Sequence, residues 1–487
     1  MRRIDYPHNS TLLAAILVVM LMLCPLATLR AQELGDTSRL LREIRAGQEA
    51  GKNLTPRQQN LKDAISQQAK AQMMESGLTD RTLTADSAAS RIIVSVLTCG
   101  PGNEIYEYYG HSAIRIKRDA PKLDIVFNYG VFDFNSGNFI LRFALGHTDY
   151  ICAMQETDNF LSAYRRRGSY VDEQVLNLTQ NEAAYLLQSL FTNAQPQNCV
   201  YRYNFFYDNC ATRVRDKIEE AVNGTLKYPE RPVSRTWRDA IHFYSHYYKW
   251  STFAQDLVLG SEADQAATGR ELEFAPLILE QDFATTLIQA RDGIIYPLVK
   301  ESHRLVDMPP LRIETGFPVS PLAVSVILLI AALVCGVIEW KKKRIFWGID
   351  TVAIVIQSLA GCIVAFLFFF STHPAVGSNW LVWVFNPLPL LGLYWQISGA
   401  LHHRYYSYHV VAAPVLAAFL LAVPWIPQHI SAPTILFVAF LFIRSLTNIG
   451  IGLRAKRLSA SVSATPPQHG AYAAQHTAPS STKYHKV

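Results

Sequence analysis

From residue 319 onward the chain is a succession of apolar segments, and nothing else in it restricts the fold as much. Five of them, at about 321–340, 347–371, 379–398, 409–427 and 433–453, each come near the ~20 residues a helix needs to cross a hydrocarbon core. Basic residues set their orientation. Lys341-Lys342-Lys343-Arg344 follows the first segment, His402-His403-Arg404 the third and Arg454-Ala455-Lys456-Arg457 the fifth, whereas THPAVGSN (372–379) and PQHISAP (427–433) carry no Lys or Arg. Basic loops remain in the cytoplasm. An all-α membrane domain of five helices is therefore expected over 319–453, in a bacterial inner membrane. Residues 32–318 then lie outside, in the periplasm, and the 454–487 tail, rich in Ser, Pro and His from 458, is expected as a disordered end in the cytoplasm.

The N-terminus fits that orientation. MRRIDYPHNS gives a basic start, TLLAAILVVMLMLCPLA an apolar core and Leu29-Arg30-Ala31 a small-residue cleavage site, so residues 1–31 read as an export signal. Leu23 before Cys24 is not small, which argues against lipid attachment there, and an uncleaved anchor is the other reading. Residues 32–90 are polar with weak helical patterning and read as a helical arm to which no role attaches. With 487 residues, 50% of them hydrophobic and 17% charged, the chain is too long for one ordinary domain and too apolar to be wholly soluble. Its net charge of +6 comes with no basic stripe interleaved with aromatics, so no nucleic-acid partner is expected.

The compact exported domain, 91–318, opens with RIIVSVLT (91–98), a β-branched run of strand character, and the glycine-bearing turn CGPGNE. HSAIRIKR (111–118) and DIVFNYGVFDF (124–134) read as two further strands. LTQNEAAYLLQSLFTN reads as a helix, because Thr179 and Glu182 have capping-box spacing and Ala183, Leu186, Leu187, Leu190 and Phe191 form an apolar stripe. In FFYDNCATRVRD (205–216) a second helix begins at Cys210, with Asp208 or Asn209 suited to cap it. Val214, Ile218, Ala221 and Val222 place the thiol on its buried face. Asn223-Gly224 supplies the stop.

A thiol in the first turn of a helix feels the positive end of the macrodipole, which favours its thiolate. The base it would need is best supplied by His111, at the start of a strand after Gly110. A buried Cys on an amphipathic helix and a His at a strand end are also ordinary packed residues, so neither carries the reading alone. The seven cysteines (24, 99, 152, 199, 210, 335 and 362) form no CxxC pair and no zinc-type spacing. Cys99, Cys152 and Cys199 can supply a disulfide in an oxidising compartment or remain packed thiols.

TCGPGNEIYEYYGHSAIRI, the NYGVFDF segment and NFFYDNCATRVRD, in that order and followed by several spans, resemble the Lnb family of lipoprotein N-acyltransferases over roughly 91–453. The resemblance implies an α+β, circularly permuted papain-like domain of the NlpC and lecithin:retinol acyltransferase type, in which His precedes Cys and the Cys opens a helix on a small antiparallel sheet. The family's Cys and His fall on Cys210 and His111, with the polar third member at Asn128 or Asp133. The arm at 34–86 is not part of the pattern. The implied activity moves a fatty acyl chain from a phospholipid, through a Cys210 thioester, to the α-amine of a diacylglyceryl-cysteine at a lipoprotein N-terminus. It needs no metal or nucleotide cofactor. Oxyanion stabilisation would come from the Cys210 N–H, with Tyr109 or Arg213 as a second donor or headgroup contact. His373, near the outer interface with Trp380 and Asn386, is a candidate for a lipid headgroup, and His147 is a further loop histidine. Competing readings are a papain-like peptidoglycan amidase or endopeptidase, a lipid hydrolase or an acyl transfer within the lipoprotein's own glyceride, and a non-catalytic membrane-anchored binding module.

Overall fold

A computed structural model describes residues 90–132, 139–230, 235–309, 311–313, 317–401 and 407–463. The export signal, the polar arm, Asp133 and the end of the tail lie outside these residues. The chain divides into two compact units. One takes the described residues up to Pro321 with Ile363–Leu381 and Ile426–His429; the other takes Leu322–Cys362, Val382–Trp425 and the described residues from Ile430 onward.

Among the described residues ten strands belong to the first unit: β1 (Ile93–Cys99), β2 (His111–Arg118), β3 (Leu123–Val131), β4 (Asp149–Glu156), β5 (Val171–Leu176), β6 (Val200–Arg202), β7 (Gly224–Lys227), β8 (Leu287–Ala290), β9 (Ile295–Pro297) and β10 (Val299–Val306). Seven of them form an antiparallel sheet of order β10-β5-β1-β2-β3-β4-β6, and β7-β8-β9 make a smaller one. Side chains alternate along a strand. Val94 and Val96 thus join Ile114 and Ile116 in a core on one face, while Leu97 and Cys99 join Ala113 in a core on the other. Burial on both faces explains why RIIVSVLT reads as an almost unbroken apolar run rather than an alternating one.

The helices of this unit are α1 (Phe139–Leu145), α2 (Thr157–Arg167), α3 (Gln180–Ala194), α4 (Cys210–Ala221), α5 (Trp237–Ser245), α6 (Lys249–Val258), α7 (Gly269–Leu272) and α8 (Pro276–Thr285). α3, α4 and α8 cover the first face of the sheet and α2 the second. The expected box caps α3: Glu182 N–H donates to Thr179 Oγ1, and Thr179 N–H to Glu182 Oε2 at 2.8 Å. Its stripe from Ala183 to Phe191 is buried, each leucine contributing about 1.5–3 kcal/mol. Trp237, Ile241 and Tyr244 of α5 join Tyr108, Tyr109, Phe206 and Phe274 in a separate, aromatic cluster.

The membrane part comprises α9 (Pro321–Lys342), α10 (Trp347–Phe370), α11 (Leu388–Leu401), α12 (Ser407–Ala422) and α13 (Ala432–Ser463). Among the described residues four segments are long and apolar enough to cross a membrane: Pro321–Lys342, Trp347–Phe370, Tyr408–Trp425 and Ala432–Arg457. The expected third span, 379–398, is not one continuous helix among the described residues. Pro387 and Pro389 lack the N–H a helix interior needs, and Asn386 Oδ1 accepts from Leu388 N–H as a new helix begins. The segment therefore splits into a 3₁₀ turn at Trp380–Trp383 and α11, whose 14 residues rise only roughly 21 Å. At the other end α13 runs on to Ser463, so the first part of the expected disordered tail is helical.

Within the second unit Arg444 is buried and donates to both oxygens of Glu339 and of Asp350, while Asn448 donates to Asp350 at 2.8 Å. This cluster ties α9, α10 and α13 together where each unpaired charge would be costly.

Candidate active site

α4 begins at Cys210 because Asn209 caps it. The Asn209 Oδ1 accepts from the N–H groups of Ala211 and Thr212, at 2.8 and 3.0 Å, and Thr212 Oγ1 accepts from Asn209 N–H at 2.8 Å. Its Nδ2 donates to the carbonyls of Phe205 and Phe274, each at 2.8 Å, so one buried amide joins the helix start to two loops. Asp208, the other cap candidate, instead binds the Arg213 guanidinium through both oxygens. The N–H of Cys210 itself meets no acceptor among the described residues.

His111 is the first residue of β2, paired with Cys99 at the end of β1, and α4 packs across β2 and β3. Asn128 of β3 lies beside it, its Oδ1 2.6 Å from His111 Nε2. With Nε2 so engaged, Nδ1 is the nitrogen left for the thiol. Gly130, at φ +89°, leaves the space over the pair open: a Cβ there would stand 3.7 Å from both Cys210 Cβ and His111 Cε1.

Burial pushes the Cys210 thiol up, but the charge and hydrogen bond of His111 and the backbone N–H groups of Ser112 and Ala211 outweigh it and hold the thiol below its usual range. Burial likewise pushes the His111 imidazole down, and the facing Cys210 with the Asn128 hydrogen bond carries it above its usual value. Both shifts favour the charged forms, thiolate and imidazolium. Two fully buried cysteines behave oppositely: burial dominates, lifting Cys99 well above the ordinary thiol range and Cys152 to about 12. Cys99 and Cys152 are free thiols, and Cys152 N–H donates to the Cys199 carbonyl at 2.8 Å.

The dyad opens into a cavity of about 210 Å³ whose wall is largely aromatic, with Tyr109, Phe132, Tyr150, Tyr203 and Phe205 among its residues. The Tyr109 hydroxyl accepts from Gln255 Nε2 at 3.1 Å, and burial keeps its proton on. Arg213 is not in this wall. It is held by Asp208, 3.8 Å over the Tyr201 ring, so the expected donor or headgroup contact is occupied within the fold. His373 and the exposed His147 also lie outside the cavity wall. Asp133 falls outside the described residues. Arg167 and Glu107, which the sequence reading did not single out, do line the cavity, joined by an ion pair of 3.1 Å. The aromatic run around YNFFY just ahead of Cys210 was a usable sign of the wall; nothing local marked Arg167.

Residues 79–243 match the Lnb N-terminal periplasmic domain and residues 312–456 the Lnb transmembrane domain. The chain belongs to the Lnb family. No curated protein and no solved structure matches it. The Lnb periplasmic match contains Cys210, His111 and Asn128, and Phe274 and Pro276 of the cavity wall lie beyond it. This Lnb chain is thus a membrane protein with a periplasmic N-terminal domain and a transmembrane domain.

Proposed function

We propose that this Lnb-family protein is a cysteine-dependent lipoprotein N-acyltransferase. The observation that carries the reading is the half-buried Cys210 thiol held low by His111, itself oriented by Asn128, at the start of a capped helix. A His-bearing strand followed by a Cys-led helix on an antiparallel sheet also suits a permuted papain-like domain.

In this mechanism the Cys210 thiolate attacks the carbonyl of a glyceride ester, and the oxyanion is met by the Cys210 N–H with the Tyr109 hydroxyl as second donor. The ester C–O bond breaks, His111 gives its proton to the departing alkoxide, and a thioester remains. The α-amine of the diacylglyceryl-cysteine then attacks, His111 takes the amine proton, and the C–S bond breaks to restore the thiolate. The product is an amide. The donor is a phospholipid in the first form of the proposal. A second form, in which the chain comes from the lipoprotein's own glyceride, is favoured by the small cavity, which suits one molecule bearing both ester and amine. An amidase would use the same dyad but gives no reason for membrane spans in the same chain.

The test uses the full chain in vesicles containing a synthetic diacylglyceryl lipopeptide and phospholipid with isotopically labelled acyl chains. Labelled amide on the lipopeptide supports the phospholipid donor. Unlabelled amide with one ester lost identifies transfer within the lipopeptide. No amide of either kind, with the protein folded, removes the acyltransferase reading.

A further inference from the structure

α1 is short and turns its apolar side outward. In FILRFAL, Phe139 is buried, yet Ile140, Leu141 and Phe143 are 68%, 48% and 39% exposed. Three large apolar side chains on so small an element call for a cover. The hydrogen bonds at its far end show what that cover is. Thr372 donates to the Leu145 carbonyl through both N–H and Oγ1, at 3.0 and 2.9 Å, and His373 Nε2 lies 2.8 Å from the Phe143 carbonyl. Gly146, at φ +75°, permits this approach, since a Cβ there would collide with Thr372 Oγ1. Thr372 and His373 come directly after the span Trp347–Phe370, and Ile363–Leu381 belong to the same compact unit as α1. Phe369 and Phe370, the last residues of that span, are themselves 68% and 64% exposed. A helix pinned within one turn of a span's outer end lies at the bilayer surface, and its apolar side meets lipid.

The inner side of α1 leads to the thiol. Ring centroids run from Phe143 to Phe139 at 6.3 Å, to Phe132 at 5.4 Å, to Tyr150 at 4.9 Å and to Tyr203 at 4.0 Å. Phe132, Tyr150 and Tyr203 stand in the cavity wall with Cys210. We propose that α1 is an interfacial helix seated in the outer leaflet, and that this aromatic row is the surface along which a membrane lipid's acyl ester reaches Cys210. The access role rests on the acyltransferase reading; the lipid contact does not.

The test places a photo-crosslinking side chain at Ile140 of the full-length protein in phosphatidylethanolamine and phosphatidylglycerol vesicles, with Tyr185, 50% exposed on α3, as control. Lipid adducts several-fold more frequent at 140 than at 185 are expected, whether or not the protein transfers acyl groups. Equal frequencies overturn the interfacial placement. In a second arm Ile140→Asp with Leu141→Asp is expected to slow acyl transfer from vesicles by roughly tenfold or more, since apolar burial is lost. Alkylation of Cys210 by a small water-soluble reagent is expected to stay unchanged. Unaltered acyl transfer overturns the access role. A variant that also loses alkylation has lost the fold of the site, and the crosslinking arm then decides.

Discussion

His111 Nε2 and Asn128 Oδ1 lie 2.6 Å apart across β2 and β3. An amide oxygen only accepts, so this contact holds a proton on Nε2 and leaves Nδ1 as the nitrogen that exchanges its proton with Cys210. Replacing Asn128 by Ala should keep the dyad but let the ring turn. Acyl transfer is expected to fall by roughly 10–100-fold, a milder loss than removing the thiol, with the protein's melting temperature nearly unchanged. Wild-type rates in Asn128→Ala would assign the orienting role elsewhere.

Cys210 and His111 act on the same proton and the same carbonyl, so their contributions should not add. Cys210→Ala and His111→Ala are each expected to bring transfer to background, and the double variant to be no worse than either. The check is a double-mutant cycle on lipopeptide acylation. A double variant much worse than both singles would mean that the residues work independently.

The pH dependence follows from the directions of the two shifts. Cys210 titrates below the ordinary thiol value of 9.0 because His111 outweighs burial, and His111 above 6.5. Alkylation of Cys210 should therefore rise with pH at a midpoint below that of a free thiol. In His111→Ala burial is left without its main opponent, so the midpoint should move up. A midpoint that stays in place without the imidazole would contradict the ion pair.

Asn209→Ala removes the cap of α4 and strands the carbonyls of Phe205 and Phe274 in a buried loop. Loss of about 2–4 kcal/mol is expected, combining a helix cap with unsatisfied acceptors. Thermal unfolding of the detergent-solubilised protein measures it, and a change below 1 kcal/mol would show that the loops do not depend on this amide.

In the membrane unit, Arg444→Met would leave Glu339 and Asp350 facing one another without their cation. Destabilisation of about 3–5 kcal/mol is expected, largely recovered when both carboxylates are also replaced by apolar residues. Unfolding in detergent of the single and triple variants tests both halves.

The features that were legible in the sequence are those set by near neighbours. The box at Thr179 and Glu182, the strand at 111–118 and the helix from Cys210 each depend on residues within one or two turns of themselves. Choosing between Asp208 and Asn209 as the cap needed the third dimension, because Asn209 is selected by the carbonyl of Phe274, far along the chain. Arg213 was misplaced for a related reason: a guanidinium one turn past the thiol looks available until the loop turns Asp208 onto it. Hydropathy weighs side chains and not the missing N–H groups of Pro387 and Pro389, so it does not reveal the break inside the third apolar segment. Phe132, Tyr150 and Tyr203 meet at the thiol only through the registers of β3, β4 and β6, which no local pattern encodes.

Asn379 Nδ2 donates to the Leu257 carbonyl, and Gln428 Nε2 to the Leu259 carbonyl, both within the unit that holds the sheet. The second donor is synthesised 169 residues after its acceptor, beyond most of the membrane helices. On the ribosome, then, the periplasmic unit emerges first but is finished late, when segments threaded through the bilayer return to it. A gene truncated ahead of the first span encodes an unfinished unit rather than a detachable one. Such a chain leaves the Leu257 and Leu259 carbonyls without these two donors.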